Sequence, residues 1–150
     1  MAPQKNPLVL LVEDNRDDVD LALMAFRMNG IPVQIDVARD GAEALDYLFS
    51  TGSRAGAPLP SPSVVLLDLK LPRVDGLEVL RRLRSDPRTR QIPVVVLTSS
   101  AEPRDLAGVA EIGVDRYLRK PVDFSEFRET VRLLAETWLR PGPAPKGVGA

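Results

Sequence analysis

Three short runs constrain this chain more than anything else in it: LVLLV at Leu8–Val12, VVLL at Val64–Leu67 and VVVL at Val94–Leu97. A run that is apolar at every position leaves no face for water. It therefore suits a strand covered on both sides, as in a parallel sheet. Two weaker runs, Val33–Val37 and Val114–Leu118, bring the set to five. Helical patterns lie between them. Arg16–Met28 puts Val19, Leu23 and Phe26 on one face, and Gly30 follows as a stop. Asp40 with Glu43, Asp75 with Glu78, and Asp123 with Glu126 each read as a helix cap with a supporting carboxylate. Pro103 fits the first turn of a further helix, where its missing N–H costs nothing. The last helix, from Phe124 to about Leu139, carries Phe127, Val131, Leu134 and Trp138 on one stripe.

Strand followed by helix, five times over, predicts an α/β fold: a doubly wound, five-stranded parallel sheet with five helices. The length of 150 residues suits one domain. Its expected span is 8–139, with an N-terminal extension over 1–7 and a disordered tail over 140–150. The loop Ser50–Ser63 is long and rich in Gly, Pro and Ser, which marks it as functional or mobile.

Composition excludes several chemistries. The chain has no cysteine and no histidine, so thiol chemistry and zinc sites of the usual kind are absent. Metal binding must use oxygen, which favours hard cations. Lys plus Arg is 20 against 21 for Asp plus Glu. No bulk positive field exists to hold nucleic acid or an anionic membrane. The basic run Leu80–Arg84 reads as a solvated helix face. The first apolar run is too short for a signal peptide or a membrane span, so a cytoplasmic location is expected.

Ligands of open parallel sheets bind beyond the carboxyl ends of the strands. Glu13 and Asp14 follow the first strand, Asp68 the third, Thr98 and Ser99 the fourth, Lys120 and Pro121 the fifth. A carboxylate that ends a buried run, as Asp68 does, is costly without a purpose. Clustered carboxylates call for a cation, and Mg²⁺ fits their number and hardness. A cation, a lysine and a hydroxyl are what a phosphoryl group needs around its oxygens. A carboxylate there can act as nucleophile and become an acyl phosphate. Asp14 also suits the cap of the first helix, and Tyr117 also suits plain packing.

LVEDN, LLDLKLPRVDG, VLTSS and YLRKP together make the chain resemble the receiver domain of bacterial two-component response regulators, from about Leu8 to Leu139. Thr98 lies 30 residues beyond Asp68, and Lys120 lies 52 beyond it, as in that family. The resemblance implies that Asp68 accepts a phosphoryl group from a partner histidine kinase. Asp14, Glu13, Asp68 and the Lys70 carbonyl would hold Mg²⁺. Thr98 and Lys120 would bind phosphoryl oxygens, with Ser99 and Pro121 supporting them. Tyr117 would be the switch aromatic, coupled to Thr98. A cis Lys120–Pro121 bond would aim the lysine inward. Lys70 and Ser100 would tune the lifetime of the acyl phosphate. The surface of the fourth helix, fifth strand and fifth helix would change on phosphorylation and pair as a homodimer. Output would be protein binding or phosphate buffering, since no DNA-binding helix pair follows residue 140.

The long loop, DLKLPRVDG and the TWLRP ending are further similar to stand-alone regulators paired with bacteriophytochromes. Three other readings remain. A Mg²⁺-dependent aspartyl phosphohydrolase expects a second aspartate where this chain has Lys70. A nucleotide or flavin module expects a Gly- or Ser-rich loop in place of EDNRDD. A degenerate receiver, binding partners without phosphorylation, is the third.

Overall fold

A computed structural model of the protein describes residues 6–120 and 123–139. Its elements alternate as expected: β1 (Leu8–Val12), α1 (Arg16–Met28), β2 (Gln34–Ala38), α2 (Gly41–Phe49), β3 (Val64–Leu67), α3 (Gly76–Ser85), β4 (Val94–Thr98), α4 (Pro103–Ile112), β5 (Arg116–Arg119) and α5 (Phe124–Trp138). The strands form one parallel sheet in the order β2-β1-β3-β4-β5. β1, β3 and β4 are central and almost wholly buried, which is why their sequences are apolar at every position. β2 and β5 are edges and carry polar residues. β5 begins two residues later than its apolar pattern suggests, because Arg116 pairs with Val95 at the edge.

Two cores flank the sheet. Leu10, Val12, Val65, Leu67, Val94 and Val96 face α2, α3 and α4. Val9, Leu11, Val64, Leu66, Val95 and Leu97 face α1 and α5. Alternation along each strand divides one apolar run between both cores. On α5, Phe127, Val131 and Leu134 are buried and Trp138 is half-buried against the same core.

The helix ends follow local chemistry. Asp40 accepts from the Glu43 amide at 2.7 Å, and Asp123 from the Glu126 amide at 3.2 Å. Pro103 opens α4. Gly30, at φ +64, takes the left-handed turn after α1. Two expectations fail. α1 is capped by Asn15, whose side chain accepts from the Asp18 amide, so Asp14 is not the cap. Asp75 makes no side-chain cap; Arg104 binds its carboxylate at 2.8 Å instead.

The loop after α2 carries a 3₁₀ turn at Gly52–Arg54. Thr51 bonds Asp46 at 2.8 Å, and the Arg54 guanidinium lies 4.7 Å from the Tyr47 ring centre. Most of the expected N-terminal extension, the whole expected tail and Pro121 lie outside the described residues. No helix among the described residues is long and apolar enough to cross a membrane.

Candidate functional site

Strand register assembles the site. Val12 pairs with Leu67, so the next residues, Glu13 and Asp68, emerge side by side from β1 and β3. The Asp68 amide donates to the Val12 carbonyl at 3.1 Å and continues the ladder by one step. Beyond β5, the Lys120 amide donates to the Thr98 carbonyl at 2.9 Å. That bond fixes the root of a side chain that then reaches back across the sheet end. Gly76 makes close packing possible: a Cβ there would lie 2.2 Å from the Asp68 carbonyl oxygen.

Carboxylate oxygens of Glu13, Asp14 and Asp68 come within 4.8 Å of one another. Glu13 and Asp68 are buried, while Asp14 is exposed at the rim. The Lys120 ammonium lies among them, 2.6 Å from Glu13, 3.2 Å from Asp68 and 2.8 Å from Asp18. The Asp68 Oδ1 accepts from the Lys70 amide at 3.1 Å, which fixes the carboxylate plane. These residues line a cleft of about 490 Å³ with Asn15, Leu21, Leu97, Ser99 and Phe127.

Charge crowding sets the electrostatics. Burial, together with the nearby Asp68 charge, outweighs the Lys120 hydrogen bond and pushes the Glu13 carboxyl up to about 7. Burial alone would lower the Lys120 pKa, but bonds to Asp18 and Glu13 and the charge of Asp68 raise it, so Lys120 stays an ammonium. Three carboxylates and no nitrogen or sulfur donor suit a hard divalent cation such as Mg²⁺.

The hydroxyl residues divide. Ser99 is exposed and lines the cleft. Thr98 is fully buried, and its Oγ1 accepts from the Ser100 amide at 3.2 Å. Tyr117 is half-buried against the core, and its hydroxyl donates to the Ser100 carbonyl at 3.2 Å. Thr98 and Tyr117 are thus linked through one residue. The Ser100 hydroxyl makes a third bond, to Asp105 at 2.5 Å.

Sequence reading missed Asp18 and Asp105. Asp18 stands out only as a further acid in the first turn of α1. Asp105 resembles an ordinary helix-start acid on α4, and nothing local reveals that it is wholly buried.

Residues 9–132 match the response regulator receiver domain, and the chain belongs to that family. Among curated relatives, the probable methanogenesis regulatory protein FilR2 of Methanothrix harundinacea is 43% identical, covering 91% of this chain and 89% of that protein. Response regulator Rcp1 of Synechocystis is 34% identical, covering 93% and 95%. Among solved structures, the Mn²⁺-bound form of Rcp1 superposes with a TM-score of 0.77 at 33% identity over 95% of this chain and 99% of that one. The phosphorylated cyanobacterial phytochrome response regulator RcpA gives 0.78 at 36% over 93% and 98%. The bacteriophytochrome response regulator AtBRR gives 0.73 at 46% over 94% and 97%. The five-stranded receiver fold and the likeness to phytochrome-associated regulators are therefore as the sequence implied.

Proposed function

We propose that this receiver is a phosphorylation switch in which Asp68 takes a phosphoryl group from a phosphohistidine of a partner kinase. The carrying observation is the convergence of Glu13, Asp14 and Asp68 within 4.8 Å, with the Lys120 ammonium 3.2 Å from Asp68. An Asp68 oxygen attacks phosphorus, the phosphorus–nitrogen bond breaks, and the imidazole leaves with the bonding pair. Mg²⁺, when bound, neutralises charge on the phosphoryl oxygens. Glu13, Asp14, Asp68 and the Lys70 carbonyl would hold it, and the RcpA and Rcp1 structures support a phosphorylated, divalent-cation site by likeness.

Lys120 shifts its ammonium from the carboxylates to a phosphoryl oxygen. The Thr98 hydroxyl turns to another oxygen, with Ser99 at the rim. Because Thr98 and Tyr117 share Ser100 as a partner, movement of one loads the other. The α4–β5–α5 face, which carries Tyr117, then changes and pairs with a second copy or a target protein.

The donor must enter at the cleft mouth. Leu21, Met24 and Met28 form an exposed apolar stripe at helical spacing on α1, and Leu21, at its near end, lines the cleft. This stripe suits a helix of the kinase, and the likeness to AtBRR makes a bacteriophytochrome-type kinase the first donor to try.

Intact mass after incubation with Mg²⁺ and acetyl phosphate tests the switch. Wild type should gain one phosphoryl group; Asp68→Asn and a chelated sample should gain none. If wild type gains none from acetyl phosphate or from a candidate kinase, the chain is a phosphorylation-independent binding module.

A further inference from the structure

Beside the cleft, the side chains of Asp105, Lys70 and Ser100 form a cluster that the proposed chemistry does not use. Asp105, at 0% exposure, is held by the Ser100 hydroxyl at 2.5 Å and the Lys70 ammonium at 3.1 Å. Glu102 also binds the Lys70 ammonium. The remaining cation near Asp105, Arg104, sits 3.5 Å away and is largely exposed. Lys70 itself lines the cleft, two residues after Asp68. Its flexible stem carries an ammonium that three nearby carboxylates would attract. A buried carboxylate is a stronger holder than an exposed one, because water screens the exposed pair. Glu102 alone is that weaker holder.

We propose that Asp105 is a positioning residue: it keeps the Lys70 ammonium out of the Glu13–Asp14–Asp68 cluster and so leaves those carboxylates open to a divalent cation. Lys120 already supplies one positive charge there. A second ammonium would compete with the metal for the same oxygens. The carboxylate that parks Lys70 also anchors Ser100, so the loops after β3 and β4 share one buried post. This inference rests on the divalent-cation site of the proposed function and deepens it.

The test is Mn²⁺ binding, read by electron paramagnetic resonance on the full chain, for wild type, Asp105→Asn, Lys70→Met and the double variant. Asp105→Asn should weaken binding about tenfold, equivalent to about 1.4 kcal/mol. The double variant should bind within about twofold of Lys70→Met, since the competing charge is gone. Thermal melting checks that each variant folds. Should Asp105→Asn fail to fold, Asp105→Ser keeps a partner for the Ser100 hydroxyl and removes the charge. Equal Kd for wild type and Asp105→Asn overturns the role of Asp105 while leaving the metal site standing. A loss that Lys70→Met does not rescue also overturns it, because Asp105 would then act through the loop alone. No Mn²⁺ uptake by wild type overturns both this role and the metal site.

Discussion

Glu13 is 2% exposed, yet it stands beside Asp68 at the end of a sheet. With its carboxyl raised to about 7, it holds a proton in mildly acid solution. A cation must displace that proton to use both oxygens. Mg²⁺ affinity should therefore rise as pH is taken from about 6 to about 8, then level off, with proton release on binding only in the lower part of that range. Titration calorimetry in buffers of different ionisation enthalpy measures this directly. The native state binds more protons than the unfolded one between the ordinary carboxylate range and about 7, so the cation-free protein loses stability as pH rises through that window. At Lys120 the opposite charge is at stake. Lys120→Met should lower the melting temperature in chelator, by the equivalent of about 2 kcal/mol for a lost charged hydrogen bond. It should also raise the stabilisation gained on adding Mg²⁺, because one competitor for the carboxylates is gone. Scanning calorimetry with and without Mg²⁺ reads both effects.

Among the elements, α3 carries a steric constraint that reaches the site. Its first residue, Gly76, lies against the backbone of Asp68 and Leu69. Gly76→Ala should push that backbone aside, cost about 1–3 kcal/mol through overpacking, and slow labelling by acetyl phosphate. Denaturant melts and labelling rates check the two parts. On α1, Met24→Glu puts charge in the middle of the apolar stripe and leaves the cleft alone. Transfer from the kinase should fall about tenfold while labelling by acetyl phosphate stays unchanged. The elements were legible in sequence wherever local pattern and tertiary environment agree. Val64–Leu67 reads as a strand because it is buried on both faces, and α1 ends at Met28 as its periodicity requires. The start of β5 was not legible, since an edge strand tolerates Arg116. The residues converging at the strand ends were legible from position alone. The hidden partners, Asp18 for Lys120 and Asp105 for Lys70, were not, because the contacts come from chain segments far apart in sequence.

For the whole molecule, the same separation carries a consequence for the order in which the protein forms. Glu13 and Lys120 stand 107 positions apart and meet only when β1, β3, β4 and β5 are all in register. The cleft is therefore a high-contact-order feature, closed late on the way to the native state. A cation that needs the finished cleft has nothing to grip in the transition state. In stopped-flow chevrons, saturating Mg²⁺ should leave the folding limb where it is and shift the unfolding limb downward. A cation-dependent folding limb would mean that the sheet end forms early. With the expected result, the metal acts as a brake on unfolding, and a receiver loaded with its ion outlasts an empty one of the same sequence.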